Sequence, residues 1–293
     1  MLWRSKATNL AFLAPAVLTL LMVGLAPLIF AVNMSLRRYH LARPAEGNPF
    51  IGFQNYASVL SDSSFWDSMI RTGTFLAIVL PVQVMLGLFV AMMLHQAGFG
   101  LLRSLTRVAL VIPLATTPSV VGLIGRLLFN REAGVANYGL SLVGIPTVTW
   151  LGDPNFAFVS IILMELWQWT PFVALVFLAG LTTVPSEVED AAKLETNHWF
   201  TVLRYIQLPY LLPGLTAVLI LRTADILKLF DMVFTMTRGG PGSATDLISL
   251  YIQRIGFRVF DQGVASAQAI ILLIICIVLA RIYIRVFYRE VSA

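Results

Sequence analysis

Charge is scarce in this chain. Only 12% of its 293 residues are Asp, Glu, Lys or Arg, against 58% hydrophobic residues, and mean hydropathy is +0.83. That composition excludes an ordinary water-soluble domain and marks an integral membrane protein. Lysine occurs only at Lys6, Lys193 and Lys228, and the net charge of +5 is spread out rather than gathered in a basic patch. Contact with anionic lipid heads fits this better than nucleic-acid binding. The single cysteine, Cys276, excludes an internal disulfide and reads as a small core or lipid-facing residue. No Gly-x-x-x-x-Gly-Lys-Ser/Thr run is present, so no P-loop is available for ATP. His40, His95 and His198 lack metal-ligand spacing, and no Ser–His–Asp set can be argued. The chain reads as non-catalytic, with no cofactor or metal of its own.

What is present is a series of long apolar runs. Six of them, at about 10–34, 70–94, 105–129, 157–180, 214–236 and 263–287, approach the roughly 20 residues that a bilayer requires. Backbone groups in lipid must pair within their own segment, so the expected fold is all-α, with six transmembrane helices in a single transmembrane domain over 1–293. Arg4 and Lys6 precede the first run as in a secretory signal, but the run exceeds the roughly 7–15 residues of an h-region and reads as an uncleaved span. An even number of spans puts both termini on one side. Lysine and arginine divide almost evenly between the two sides, so they do not orient the bundle. No internal repeat is visible.

The longest stretch without membrane composition is 184–213, between spans four and five. Pro185 can open a helix there, and Glu187, Glu189 and Asp190 stand near its positive end. Val188, Ala191, Ala192, Glu195 and Trp199 follow helical spacing and are expected on one face. Leu208-Pro209 and Leu212-Pro213 are expected to stop the helix. A polar amphipathic helix between two spans suggests docking to something in water. Two other stretches are distinctive. Phe50-Ile51-Gly52-Phe53-Gln54-Asn55-Tyr56 precedes span two, and Thr237-Arg238-Gly239-Gly240-Pro241-Gly242-Ser243-Ala244-Thr245 follows span five. The first suits an aromatic anchor at the membrane boundary, and the second must be a turn or loop.

Together the three stretches, in this order, resemble the permease subunits of binding-protein-dependent ABC importers. The segment 184–213 is similar to their EAA loop, with Asp190-Ala191-Ala192 standing for Glu-Ala-Ala and Glu195-Thr196-Asn197 where Asp-Gly-Ala is usual. The other two match F-x-G-x-x-N-Y and T-x-G-G-P-G-x-A-T. The G-L-T-x-G-A-x-K-G-like end of the second permease type is lacking. The chain therefore looks like the first type of a sugar-importer pair, of the kind that includes the maltose, glycerol-phosphate and trehalose systems. The resemblance implies an inner-membrane location with both termini and the loop 181–213 in the cytoplasm. It also implies as partners a second permease, two ATPase subunits that bind ATP and Mg, an extracytoplasmic substrate-binding protein, membrane lipid and a sugar-like solute. Glu187, Asp190, Ala191, Ala192, Glu195 and Trp199 would then couple to the ATPase.

Charges inside spans are the pointers to a solute path, because each costs roughly 2.5–3.5 kcal/mol at a span's centre on insertion scales. Glu165 and Trp169 lie in span four, and Arg222, Asp225, Lys228 and Asp231 recur through span five. Spacing permits internal pairing of Arg222 with Asp225 and Lys228 with Asp231. Trp167, Trp169, Phe230 and Phe234 could supply faces for a sugar, and the basic groups leave room for an anionic one. Arg126 could snorkel outward. The rival readings are an ATP-independent, ion-coupled carrier or channel subunit using the same charges, and a membrane anchor for a signalling complex.

Overall fold

The computed structural model describes residues 12–96, 100–196 and 198–287, without the side chains of 46, 96, 100–107 and 193. Arg4, Lys6, Asn197 and Arg289, and the side chains of Arg103, Arg107 and Lys193, lie outside the described residues. The described residues hold no named β-strand, only two isolated bridges, Arg37 with Phe50 and His40 with Asp261.

The long helices are α1 (Phe12–Ser35), α3 (Ser63–Gln96), α7 (Pro154–Leu181), α9 (Trp199–Leu227) and α12 (Gln262–Phe287). Shorter ones are α2 (Gln54–Ser61), α4 (Gly100–Ala115), α5 (Pro118–Leu128), α6 (Val135–Leu142), α8 (Ser186–Glu195), α10 (Asp231–Met236) and α11 (Ile248–Phe257). The five long helices are each long and apolar enough to cross a membrane, and α4 with α5, a bent pair that passes the same test together, brings the number to six when counted as one span. Cys276, in α12, is a free, partly exposed thiol.

Two spans differ from the sequence expectation. The run 105–129 is not one straight helix: its parts Val108–Ala115 and Pro118–Leu128 meet at 99°. Pro118 drives the bend, because a residue before proline avoids the helical region; Thr117 is extended, with φ −68° and ψ 146°. The run 214–236 is likewise divided. Its helix begins earlier, at Trp199, ends at Leu227, and resumes as α10 after Lys228–Phe230. Leu208-Pro209 and Leu212-Pro213 do not stop it. A π turn, Leu203–Gln207, widens the helix just before Pro209, with the Leu208 amide donating to the Leu203 carbonyl. That widening accommodates a ring that would otherwise press on the preceding turn.

Packing separates the chain into two units. One comprises 1–66 and 251–274. Within it, the buried Asn55 amide donates to the carbonyls of Ser35 and Arg37, at 2.8 Å each, and Tyr56 shares a 2.7 Å hydrogen bond with Ser35. The F-x-G-x-x-N-Y stretch thus ties α2 to the end of α1, while Phe50 and Phe53 stay exposed.

The other unit comprises 67–250 and 275–293. One apolar core gathers Phe75, Val79, Val121, Ile161, Ile226 and Met232; a second gathers Ala91, Val173, Phe177, Leu211 and Val218. Apolar side chains gain little by leaving lipid, so close backbone approach must supply the attraction. At α5 it does: a Cβ on Gly122 would stand 2.5 Å from the Met232 carbonyl, and one on Gly125 would stand 2.9 Å from Met164 and Met236. The T-x-G-G-P-G-x-A-T stretch closes on itself here. The Thr237 and Thr245 hydroxyls lie 2.6 Å apart, and Thr245 also donates to the Gly240 carbonyl at 2.8 Å.

Gly122→Val should destabilise this unit by about 1–3 kcal/mol through overpacking, seen as a lower Tm in detergent. Gly73→Ala, where a Cβ meets nothing within 4 Å, should be neutral or raise it slightly.

Candidate functional site

Polar residues inside the second unit converge on one guanidinium. Arg222 of α9 is wholly buried. Its Nε donates to Gln83 Oε1 of α3 at 3.2 Å, one terminal nitrogen donates to Asp225 Oδ2 at 3.2 Å, and the other to Glu165 Oε1 of α7. The Trp169 ring lies 4.4 Å from its central carbon. Gln83 in turn donates to the backbone carbonyl of Glu165 at 3.1 Å. A guanidinium can make this many directed contacts because its planar fork carries five donors and a stacking face. Three spans are therefore joined through one side chain.

Helical spacing makes this possible. Glu165, Gln168 and Trp169 share one side of α7, and Arg222 and Asp225 one side of α9. The sequence pairing of Arg222 with Asp225 is realised, but that of Lys228 with Asp231 is not. Lys228 Nζ lies 2.9 Å from Asp225 Oδ1 instead. The reason is the break after Leu227: helical spacing ends there, and Asp231 stands exposed at the start of α10. Lys228 is exposed, so Asp225 links a buried cation to an accessible one.

Two glutamines were not singled out by sequence. Gln83 completes the Arg222 network, and Gln168 Nε2 donates to the Thr116 carbonyl at 3.0 Å, where the bend between α4 and α5 frees that carbonyl from its helix. An amide in the middle of an apolar run was the available signal. Of the proposed aromatic faces, Trp169 is taken up by Arg222, Phe230 stacks on Phe234 with centroids 5.1 Å apart, and Trp167 is exposed away from the cluster's buried side. Arg126 lies in the last turn of α5.

The segment 181–213 divides differently from expectation. Pro185 is extended and precedes α8, whose first turn holds Glu187 and Glu189. Glu187, Val188, Asp190, Ala191, Leu194 and Glu195 are exposed, whereas Ala192 is buried. Ala192 therefore faces inward, contrary to its expected place on the outward face. Trp199 is exposed but belongs to α9, because α8 ends at Glu195. Thr196 leaves that helix extended, with φ −152° and ψ 139°, so this turn uses no positive φ where Gly is usual. The inner side of α8 is pinned through Glu189 Oε1, which lies 3.0 Å from His95 Nε2 of α3 and accepts from Gln207 of α9 at 3.2 Å.

A polytopic helical bundle with two interrupted spans, a buried ion cluster and an amphipathic helix on one face is the architecture of a membrane transport subunit. The family model for the inner membrane component of binding-protein-dependent transport systems matches residues 49–293. A probable ABC transporter permease of Sinorhizobium fredii is 35% identical, covering 89% of this chain and 84% of its own length. The trehalose/maltose transport system permease protein MalF of Thermococcus litoralis is 32% identical over 97% and 95%. The sulfoquinovosyl glycerol transport system permease protein SmoG of Agrobacterium fabrum is 33% identical over 94% and 88%. A chain of a bacterial ABC transporter that imports the acidic polysaccharide alginate shares the fold, with TM-score 0.85 and 20% identity over 99% of both chains. This chain belongs to the inner-membrane permease components of binding-protein-dependent ABC transport systems. The ion-coupled carrier and the signalling anchor find no support in that membership.

Arg222→Leu, which strands Glu165 in the interior, should cost about 3–5 kcal/mol of stability. Arg222→Leu with Glu165→Leu should recover most of it while transport stays impaired. Thermal unfolding and uptake, measured on the same preparations, separate the two effects.

Proposed function

We propose that this chain imports a sugar or sugar-like solute, forming half of a translocation path with a second permease. An extracytoplasmic binding protein delivers the solute, and two ATPase subunits hold ATP and Mg and supply the energy. This chain holds no cofactor of its own. The names of its relatives support the solute class: trehalose/maltose and sulfoquinovosyl glycerol permeases among curated proteins, an alginate importer among solved structures. Both termini and α8 face the cytoplasm in this reading.

The observation that carries the reading is the two-sidedness of α8. Its outer side offers Glu187, Val188, Asp190, Ala191 and Leu194, the last 90% exposed, and its inner side is bonded to α3 and α9 through Glu189. A helix of this kind seats in a partner's groove. Its acidic residues disfavour anionic lipid as the covering surface. Movement of the ATPase would pull on α8 and, through Glu189, His95 and Gln207, on two spans at once. Those spans carry Gln83 and Arg222, so the pull reaches the buried cluster and the break at Lys228–Phe230. Lys228, Asp225, Asp231 and Trp169 then line the path as the break opens, with Arg222 and Glu165 holding its wall. Lys228 is the accessible cation that an acidic sugar would meet.

Ala191→Glu combined with Leu194→Asp should leave the permease folded, since both side chains are exposed. It should lower ATP-driven uptake at least tenfold and strip the ATPase from the complex purified through a tagged chain. Wild-type uptake with the ATPase retained would overturn the docking role of α8. Uptake that survives ATP depletion but collapses with the proton gradient would overturn the importer reading itself. Unchanged transport of acidic sugars by Lys228→Ala would remove that residue from solute recognition.

A further inference from the structure

At the membrane face opposite α8, a cavity of about 380 Å³ opens between α3 and α7, lined by Ile70, Arg71, Thr74, Asn155, Phe158 and Val159 among others. We propose that it holds the phosphate of an anionic phospholipid. Arg71 is partly exposed and pairs with no carboxylate among the described residues. Its contacts are all to neutral oxygens: Ser68 Oγ and the Asp246 carbonyl at 3.4 Å each, and Ser243 Oγ at 3.1 Å. The contrast is with Arg222, which is neutralised by two carboxylates. The Thr74 hydroxyl and the Asn155 amide, both exposed, line the same cavity and donate to nothing among the described residues. One uncompensated guanidinium and two uncommitted donors around one cavity are the chemistry of a phosphate site, since phosphate oxygens accept paired bonds from a guanidinium.

The surroundings select a lipid. Arg71 lies eight residues into α3, roughly 12 Å along its axis, and Asn155 is in the first turn of α7. Both residues lie toward the ends of their spans, where a long cationic side chain can reach the head groups along an apolar surface. Exposed apolar residues flank the cavity and continue inward from it, Ile70 and, two turns on, Ile78 on α3, and Val159 and, one turn on, Leu163 on α7. Below Thr74 they offer acyl chains an apolar surface. The same guanidinium holds Ser243 of the Gly-rich turn after α10, so an occupied site would steady that turn.

The test uses the transporter complex purified through a tagged full-length chain and offered phosphatidylglycerol or phosphatidylcholine. Native mass spectrometry counts retained lipid, and titration gives affinity. Wild type should retain phosphatidylglycerol in preference to phosphatidylcholine, and Arg71→Gln should lose that retention. Asn155→Asp adds a negative charge to the cavity without touching the turn, at a helix N-terminus where such charge is tolerated. It should bind phosphatidylglycerol about fivefold more weakly, the change expected for one charge near a membrane surface. Excess inorganic phosphate should not displace the lipid. Equal retention by wild type and Asn155→Asp would overturn the proposal. Displacement by inorganic phosphate would also overturn it, in favour of a site for soluble phosphate. Absence of retained lipid in the intact complex would assign this face to the second permease instead.

Discussion

A guanidinium buried among three membrane spans has to find its partners within the protein. Lipid offers no water to complete the set, so Arg222 collects Glu165, Asp225, Gln83 and the face of Trp169 from α7, α9 and α3. That demand fixes which sides of these helices face one another. Apolar packing in lipid is comparatively permissive about rotation, whereas a fork of directed hydrogen bonds is not. Much of the arrangement of the second unit follows from satisfying this one side chain.

The same rule of satisfaction explains the two interruptions. A bent or broken helix exposes carbonyls, and inside a membrane these must be met by protein. At the bend between α4 and α5 the Thr116 carbonyl is met by Gln168. At the break after α9 the Leu229 carbonyl accepts from Ser249. Irregular backbone at depth is tolerated where it serves a cavity or path, which is how the break beside Lys228 and Asp225 is used in the proposed transport cycle. The glycines of α5 let the segment after the break pack directly against the backbone, so the irregular part is braced.

In the proposed cycle, energy and solute meet the chain at different depths but on the same helices. α3 carries His95 near one end and Gln83 deeper in, and α9 carries Gln207 and Arg222 in the same order. A displacement of α8 in that cycle would reach the ion cluster along α3 and α9 without needing a separate wire. This is the physical content of the proposed coupling: a surface helix, an anchoring carboxylate, two spans and one buried charge network.

Membrane residence, helical class, the approximate count of spans and the position of the surface helix were all legible from composition, apolar run length and three short motifs. These are local properties, set by what each segment can do with its own backbone in lipid. Glu165, Arg222 and Asp225 were also legible, because a charge within an apolar run announces itself. The roles of Gln83 and Gln168 were not, since an amide's partner lies on another helix and no spacing encodes it. Nor did the chain's pattern disclose that Ala192 turns inward, that Pro209 is carried through a π turn, or that Lys228 reaches back to Asp225. Each of these depends on where a neighbouring helix stands or where a helix stops. Distances across the bundle, not intervals along the chain, decided them.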